Sequence, residues 1–175
     1  MTVPHRHLIL IGPPGAGKSV VGRLVAADLG ARLVDVDHEI TLIAGMPVAR
    51  IFAEQGEDAF RRLEGEAMGA ALSAAPQVIV PGGGWAVQPG ALESAAGALV
   101  VHLKTSAEAA ARRLARSRTR RPLLGDQPLE PLIALLEDRL PFYGRADREV
   151  ATDDRTPAAV AVEVARLARQ LAGWS

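Results

Sequence analysis

No cysteine occurs among the 175 residues, which rules out disulfides, thiolate metal sites and a cysteine nucleophile and fits a reducing compartment. Charge of one sign is not in excess either, since Lys+Arg and Asp+Glu both number 20. Net charge therefore gives no reason to expect nucleic acid, an anionic membrane surface or an acidic partner, and only local clusters could argue for one. Long apolar runs are missing as well. The N-terminal run Leu8-Ile9-Leu10-Ile11 breaks at Gly12-Pro13-Pro14, far short of the roughly 18 residues of a membrane span and too early for a secretory leader. A soluble cytoplasmic protein is expected. There is no internal repeat and no low-complexity linker, and the length suits one domain, residues 1–175, with a full core. The four histidines, His5, His7, His38 and His102, show no metal-ligand spacing and read as ordinary surface or strand-end residues.

The most informative segment present is Gly12-Pro13-Pro14-Gly15-Ala16-Gly17-Lys18-Ser19. It lies between the apolar run and the helix-period pattern Val20, Val21, Leu24, Val25, so it reads as strand, phosphate-binding loop and helix. Glycines let the backbone curl until successive N–H groups face an anion, Lys18 adds charge for the outer phosphates, and Ser19 offers a hydroxyl to Mg²⁺. A nucleoside triphosphate is the expected ligand.

Beyond this loop, short apolar runs at 31–34, 78–80, 98–101 and 149–151 alternate with helical patterns at 38–44, 48–54, 57–74, 107–115, 132–143 and 158–171. The alternation demands a parallel sheet covered by helices on both faces, with ligands at the C-terminal edge of the strands. Asp35 and Asp37 stand at such a strand end. They are placed to hold Mg²⁺ through its water shell or to accept a proton from an attacking hydroxyl, or else they cap the helix that follows.

Arg61 and Glu64, three apart, can meet on one helical face; taken alone the pair reads as a surface ion pair. Gly82-Gly83-Gly84 would let backbone N–H groups approach a ligand closely, or form a plain loop. Six arginines crowd between Arg112 and Arg121. No aromatic residue stands near them for a base to stack on, which disfavours RNA, and an arginine-bearing lid over a triphosphate explains the charge better.

In order along nearly the whole chain, these segments resemble shikimate kinase. The phosphate loop is common to many families. More specific is the succession Asp35-x-Asp37, Ile51-Phe52, Gly56-Glu57, Phe60-Arg61-x-x-Glu64, Gly82-Gly83-Gly84, Arg121-Pro122-Leu123-Leu124 and Arg139-x-Pro141-x-Tyr143. The resemblance implies a three-layer α/β/α fold with a five-stranded parallel sheet, a phosphate-loop kinase domain similar to nucleoside monophosphate kinases. Its substrates would be ATP and shikimate, with Mg²⁺ as the metal. ATP would lie on Gly15, Ala16, Gly17, Lys18, Ser19 and Val20, flanked by Arg113, Arg155 and Pro157. Mg²⁺ would sit on Ser19 and, through water, on Asp35. Asp37 would meet the shikimate hydroxyls as base or orienter. Arg61 and Arg139 would grip its carboxylate, Glu64 would orient Arg61, and the backbone of Gly82, Gly83 and Gly84 would contact a hydroxyl. Arg121 would reach the transferring phosphoryl group from a lid at about 117–127, with acceptor-binding helices at about 38–75. A monomer that binds neither nucleic acid nor membrane is expected.

Around the glycine triplet the chain departs from the pattern. Val80 replaces a small or hydroxyl-bearing residue and cannot donate to the Mg²⁺ water shell, Pro81 is unusual, and Trp85 is expected to place a large ring beside the acceptor pocket. Two other readings stay open. A related kinase, such as one for gluconate, would keep the phosphate loop and change the acceptor residues, against which the pair Arg61 and Arg139 speaks. A nucleotide-dependent binding module would have no need of the aspartates and acceptor-side arginines together.

Overall fold

The computed structural model describes residues 5–116 and 129–175. Side chains alternate across each strand, and this alternation sorts the apolar runs into two cores. In β1 (Leu8–Ile11), Leu8 and Leu10 face one core and Ile9 and Ile11 the other. In β3 (Val78–Val80), Val78 and Val80 go with the leucines and Ile79 with the isoleucines. Such two-sided burial is what a parallel sheet requires of its strands.

Five strands pair in the order β2-β3-β1-β4-β5, all parallel, with β2 at Leu33–Asp35, β4 at Leu99–Lys104 and β5 at Arg148–Ala151. One layer holds α1 (Lys18–Asp28) and α7 (Pro157–Ala172), packed on each other and on the leucine face. Thr156 starts α7, accepting a hydrogen bond from the Ala159 N–H, with Pro157 at the first helical position. The opposite layer holds α2 (Val36–Ala44), α3 (Val48–Ser73), a 3₁₀ turn at Trp85–Val87 and α4 (Ala91–Ser94). A small third cluster joins α5 (Ala107–Arg116) to α6 (Leu129–Tyr143).

The strand and helix expectations hold with shifts at the ends. β4 runs three residues past Val101 to Lys104 because its pairing with β5 continues through Lys104 and Ala151. As the restart after Gly56 required, α3 is two helices, broken where Gly56 takes φ 83° and ψ 175°. The histidine expectation fails at His102, which is 3% exposed in mid-strand and stacks on Tyr143. Among the described residues no helix is long and apolar enough to cross a membrane. Because β1 lies between β3 and β4 and the chain turns to opposite sides from it, the strand order reverses at the C-terminal end of β1. The fold places its ligand crevice at such a point.

Candidate active site

The loop from Gly12 to Gly17 occupies that crevice. Two of its glycines are required by close packing as well as by conformation. At Gly12 (φ +154°) a Cβ would lie 2.7 Å from the Leu103 carbonyl oxygen, and at Gly15 (φ +82°) 2.7 Å from that of Ala110. Lys18 Nζ donates to the carbonyls of Gly12 at 2.8 Å and Pro13 at 3.0 Å, which holds the cation over the loop where an anion would sit. Ser19 Oγ donates to Asp35 Oδ2 at 2.6 Å. A hydroxyl and a carboxylate meeting beside a phosphate loop are the hard oxygen donors that Mg²⁺ takes alongside phosphate oxygens and water; the residues fit that ion.

The turn from β2 into α2 separates the two aspartates. Asp35 ends the strand and Asp37 falls in the first turn of α2; Asp35, at the N-cap, makes no side-chain cap bond, so the capping alternative does not hold there. Asp37 is directed instead to the glycine triplet, where a Cβ on Gly82 would lie 3.0 Å from its Oδ1 and 2.5 Å from Glu64 Oε1.

The triplet is where the acceptor-side charges converge. A Cβ on Gly83 would lie 3.5 Å from Arg139 Nη1, which donates to the Gly83 carbonyl. A Cβ on Gly84 would lie 2.5 Å from Arg61 Nη2 and 2.9 Å from Nη1. These three glycines thus make room for side chains from α2, α3 and α6, a role the sequence-based expectation of backbone contact with a ligand did not include. None of the three has the positive φ that demands glycine, so the missing side chain is what matters.

Arg61 and Glu64 are not the surface pair that spacing alone favours. Glu64 is 1% exposed, its Oε2 accepts from Arg61 Nη1 at 2.7 Å, and Glu57 Oε1 accepts from Arg61 Nε and Nη2 at 3.3 and 3.1 Å. The guanidinium carbon stands 5.2 Å from the centre of the Phe60 ring, an added attraction for the cation. Burial pushes the Glu64 carboxyl above its ordinary range; Arg61 opposes the shift and the nearby Asp37 charge adds to it.

A cavity of about 330 Å³ runs along this edge, lined by 15–21, Asp35, Asp37, 80–83, Arg113, Leu114, Thr152, Arg155, Pro157 and Val160. It brings together the expected nucleotide and metal residues with Asp37, Gly82 and Gly83, while Arg61, Gly84 and Arg139 adjoin it at the triplet. Arg113 does more than line it. Its Nη1 donates to the Gly15 carbonyl at 3.2 Å and Thr152 Oγ1 at 2.9 Å, and its Nη2 to the Thr152 carbonyl at 2.6 Å, clamping the phosphate loop to the loop after β5. Thr152 is a site residue that the sequence did not announce; its only signal was its place just past a strand end. Arg155 Nη1 binds the Ala151 carbonyl at 2.9 Å and Glu163 at 2.8 Å. Arg121 and the expected lid at 117–127 lie outside the described residues.

Two of the departures find an explanation. Val80 Cγ2 would be 2.6 Å from a Cβ on Gly22, so the larger side chain is accommodated by the absence of one in α1. Trp85 is 4% exposed and does not line the cavity of Asp37. It lines a separate groove of about 380 Å³ that it shares with Arg61, Glu64 and Met68, so the ring stands beside the Arg61–Glu64 pair rather than in the cavity of Asp37.

A parallel sheet whose first strand ends in a phosphate loop, with Lys18, a Ser19–Asp35 pair and an acceptor pocket next to it, defines a phosphate-loop phosphotransferase that acts on a small molecule. Comparison with known proteins makes this definite. The shikimate kinase family model matches residues 14–169. A shikimate kinase of Thermobifida fusca is 43% identical over 159 residues, covering 90% of this chain and 92% of that protein. A shikimate kinase from Acinetobacter baumannii, solved in complex with shikimate, superposes with TM-score 0.88 at 33% identity, covering 97% of this chain and 94% of that one. The chain belongs to the shikimate kinase family, whose members are ATP-dependent phosphotransferases acting on a hydroxyl group. A gluconokinase from Sinorhizobium meliloti also superposes, with TM-score 0.61 over 98% of this chain and 95% of that one, but its 23% identity speaks to the fold alone.

Proposed function

We propose that this chain transfers the γ-phosphoryl group of ATP to the 3-hydroxyl of shikimate, giving shikimate 3-phosphate and ADP. The observation that carries the reading is the convergence of Arg61, Arg139, Glu64 and Asp37 on the glycine triplet next to the phosphate loop. Two guanidinium forks from separate helices suit a planar carboxylate, and the carboxylate of Asp37 stands where a hydroxyl of the same small acid would enter.

In this reading the loop amides of Gly15, Ala16, Gly17 and Val20, with Lys18, hold the phosphates, while Arg113, Arg155 and Pro157 flank the adenine. Ser19, and Asp35 through water, would hold Mg²⁺, which when bound would neutralise charge on the phosphates. Asp37 orients the acceptor hydroxyl and takes its proton, and Arg61 and Arg139 fix the ring by its carboxylate. Arg121, which lies outside the described residues, is assigned to the transferring group. Such a reaction asks the protein chiefly for positioning and charge stabilisation. A single-domain, cytoplasmic monomer completes the proposal.

The test is a coupled assay of ADP release with shikimate, gluconate or no acceptor. Release that requires shikimate is expected. Equal release with gluconate, or release indifferent to any acceptor, would overturn the substrate assignment.

A further inference from the structure

Arg139 must be held over Gly83, yet the helix that carries it is poorly equipped to hold it. Of the 15 residues in α6 only Leu132 and Tyr143 are buried, and Leu132 packs with α5 in the small third cluster. Pro141 stands between Arg139 and Tyr143. It removes a backbone hydrogen bond and crowds the preceding turn, so the helix is a weak ruler along this stretch. Tyr143 is the only buried residue of the C-terminal half.

Its ring lies on His102, with centroids 4.6 Å apart and planes inclined by 21°. His102 is itself built into the sheet, opposite Ile11 of β1 on one side and Glu149 of β5 on the other. Among the described residues neither ring nitrogen of His102 nor the Tyr143 hydroxyl completes a hydrogen bond of good geometry. Glu149 stands 3.4 Å from His102 Nδ1; burial pushes the Tyr143 hydroxyl up, and the Arg139 guanidinium, which acts on it, opposes that shift. Ring-on-ring contact accounts for burying the two side chains together. Ile11 leads directly into Gly12, so the strand beside His102 is the one that delivers the phosphate loop.

We propose that the stacked pair His102 and Tyr143 is the footing that fixes Arg139 above Gly83, making both of them positioning residues for the acceptor carboxylate. Tyr143 follows Arg139 by four residues, on the same face one turn on, and the arginine's Nη1 reaches the Gly83 carbonyl from that anchored turn. The inference rests on the assignment of Arg139 to shikimate, and its test separates the two.

Tyr143→Leu, which keeps apolar bulk and loses the stack, should raise the shikimate KM about tenfold and leave the ATP KM within twofold; Tyr143→Phe should stay near the parent. In an Arg139→Ala background Tyr143→Leu should add nothing to the shikimate KM, which a merely structural role would not produce. If Tyr143→Leu does not fold, His102→Ala is expected to show the same split and the same non-additivity. Unchanged shikimate KM, equal rises for both substrates, or additive effects with Arg139→Ala would refute the footing. A shikimate KM indifferent to Arg139→Ala alone would instead refute the carboxylate assignment on which it rests.

Discussion

Replacing Gly84 by alanine isolates one contact. Gly84 has φ −99° and ψ −1°, a backbone that alanine adopts, so no strain of the main chain is added. The new methyl would stand 2.5, 2.9 and 3.0 Å from Arg61 Nη2, Nη1 and Cζ. Unstrained heavy-atom contacts begin near about 3.5 Å, so the guanidinium must retreat by about 1 Å. It is the free end of a long side chain and can do so without unfolding the protein, but it then leaves Glu64 and the place where the acceptor carboxylate is to be met. Losing a hydrogen bond to a charged group costs about 1.5–3 kcal/mol, which at about 1.4 kcal/mol per decade corresponds to roughly 10–100-fold in affinity. Removing glycine meanwhile lowers the entropy of the unfolded chain and stabilises the fold by about 0.4–1 kcal/mol. Gly84→Ala should therefore melt somewhat lower than the parent, because the buried Glu64 loses its guanidinium partner and the glycine term offsets only part of that cost, show a shikimate KM raised roughly 10–100-fold, and keep its ATP KM. Steady-state ADP release with each substrate varied in turn, together with a melting curve, measures all three. A shikimate KM within twofold of the parent would refute the steric argument, and an ATP KM rising in step would place Arg61 outside the acceptor site.

Asp37→Asn should retain most ATP affinity, measured by calorimetry, while turnover falls by 10²-fold or more, since general-base help is commonly worth about 10²–10⁴; a rate near the parent's would remove the base from the mechanism. Glu64→Gln should raise the shikimate KM yet stabilise the fold at neutral pH. The folded-state carboxyl of Glu64 is raised above its unfolded value, so its charge opposes folding at pH above that folded value. The opposition fades as pH falls and the group takes up a proton in both states. The melting advantage of the variant should accordingly be largest near pH 8 and vanish toward pH 4, and an advantage that grows on acidification would contradict the sign. Trp85 shares its groove with Arg61, whereas the Trp174 indole donates to the Arg6 carbonyl at 3.0 Å. Shikimate should therefore produce a saturable emission change that survives Trp174→Phe and is lost in Trp85→Phe; a signal that follows Trp174 would break the link to Arg61.

The sheet and its ligand edge were legible because buried parallel strands must be apolar on both faces, and the runs at β1 and β3 say so directly. β4 outlasts its apolar run, which His102 and Lys104 interrupt, because strand pairing, invisible in the linear order of residues, carries it to Lys104. The phosphate loop announces itself by local spacing. The acceptor site does not: Arg61 and Glu64 look like any solvated helical pair until Phe60, Glu57 and the triplet enclose them. The glycines illustrate the same limit, since their role depends on which side chains approach from distant segments. Arg113 is a further case, its forked donors turned to Gly15 and Thr152 by a fold that joins two loops far apart in the chain.

Gly22 and Val80 together have a consequence for how this sequence can drift. α1 lies so near β3 that the two positions share one volume, and Gly22 has no positive φ to require it. A methyl added at 22 overfills the space, at about 1–3 kcal/mol, and trimming Val80 alone leaves a hole. Each single step is penalised while the exchange of both is tolerated, which is sign epistasis between a helix and a strand. A lineage that places a smaller, hydroxyl-bearing residue at position 80 should acquire a side chain at position 22 in the same stretch of its history, and a library randomised at both sites should recover the two changes as a pair.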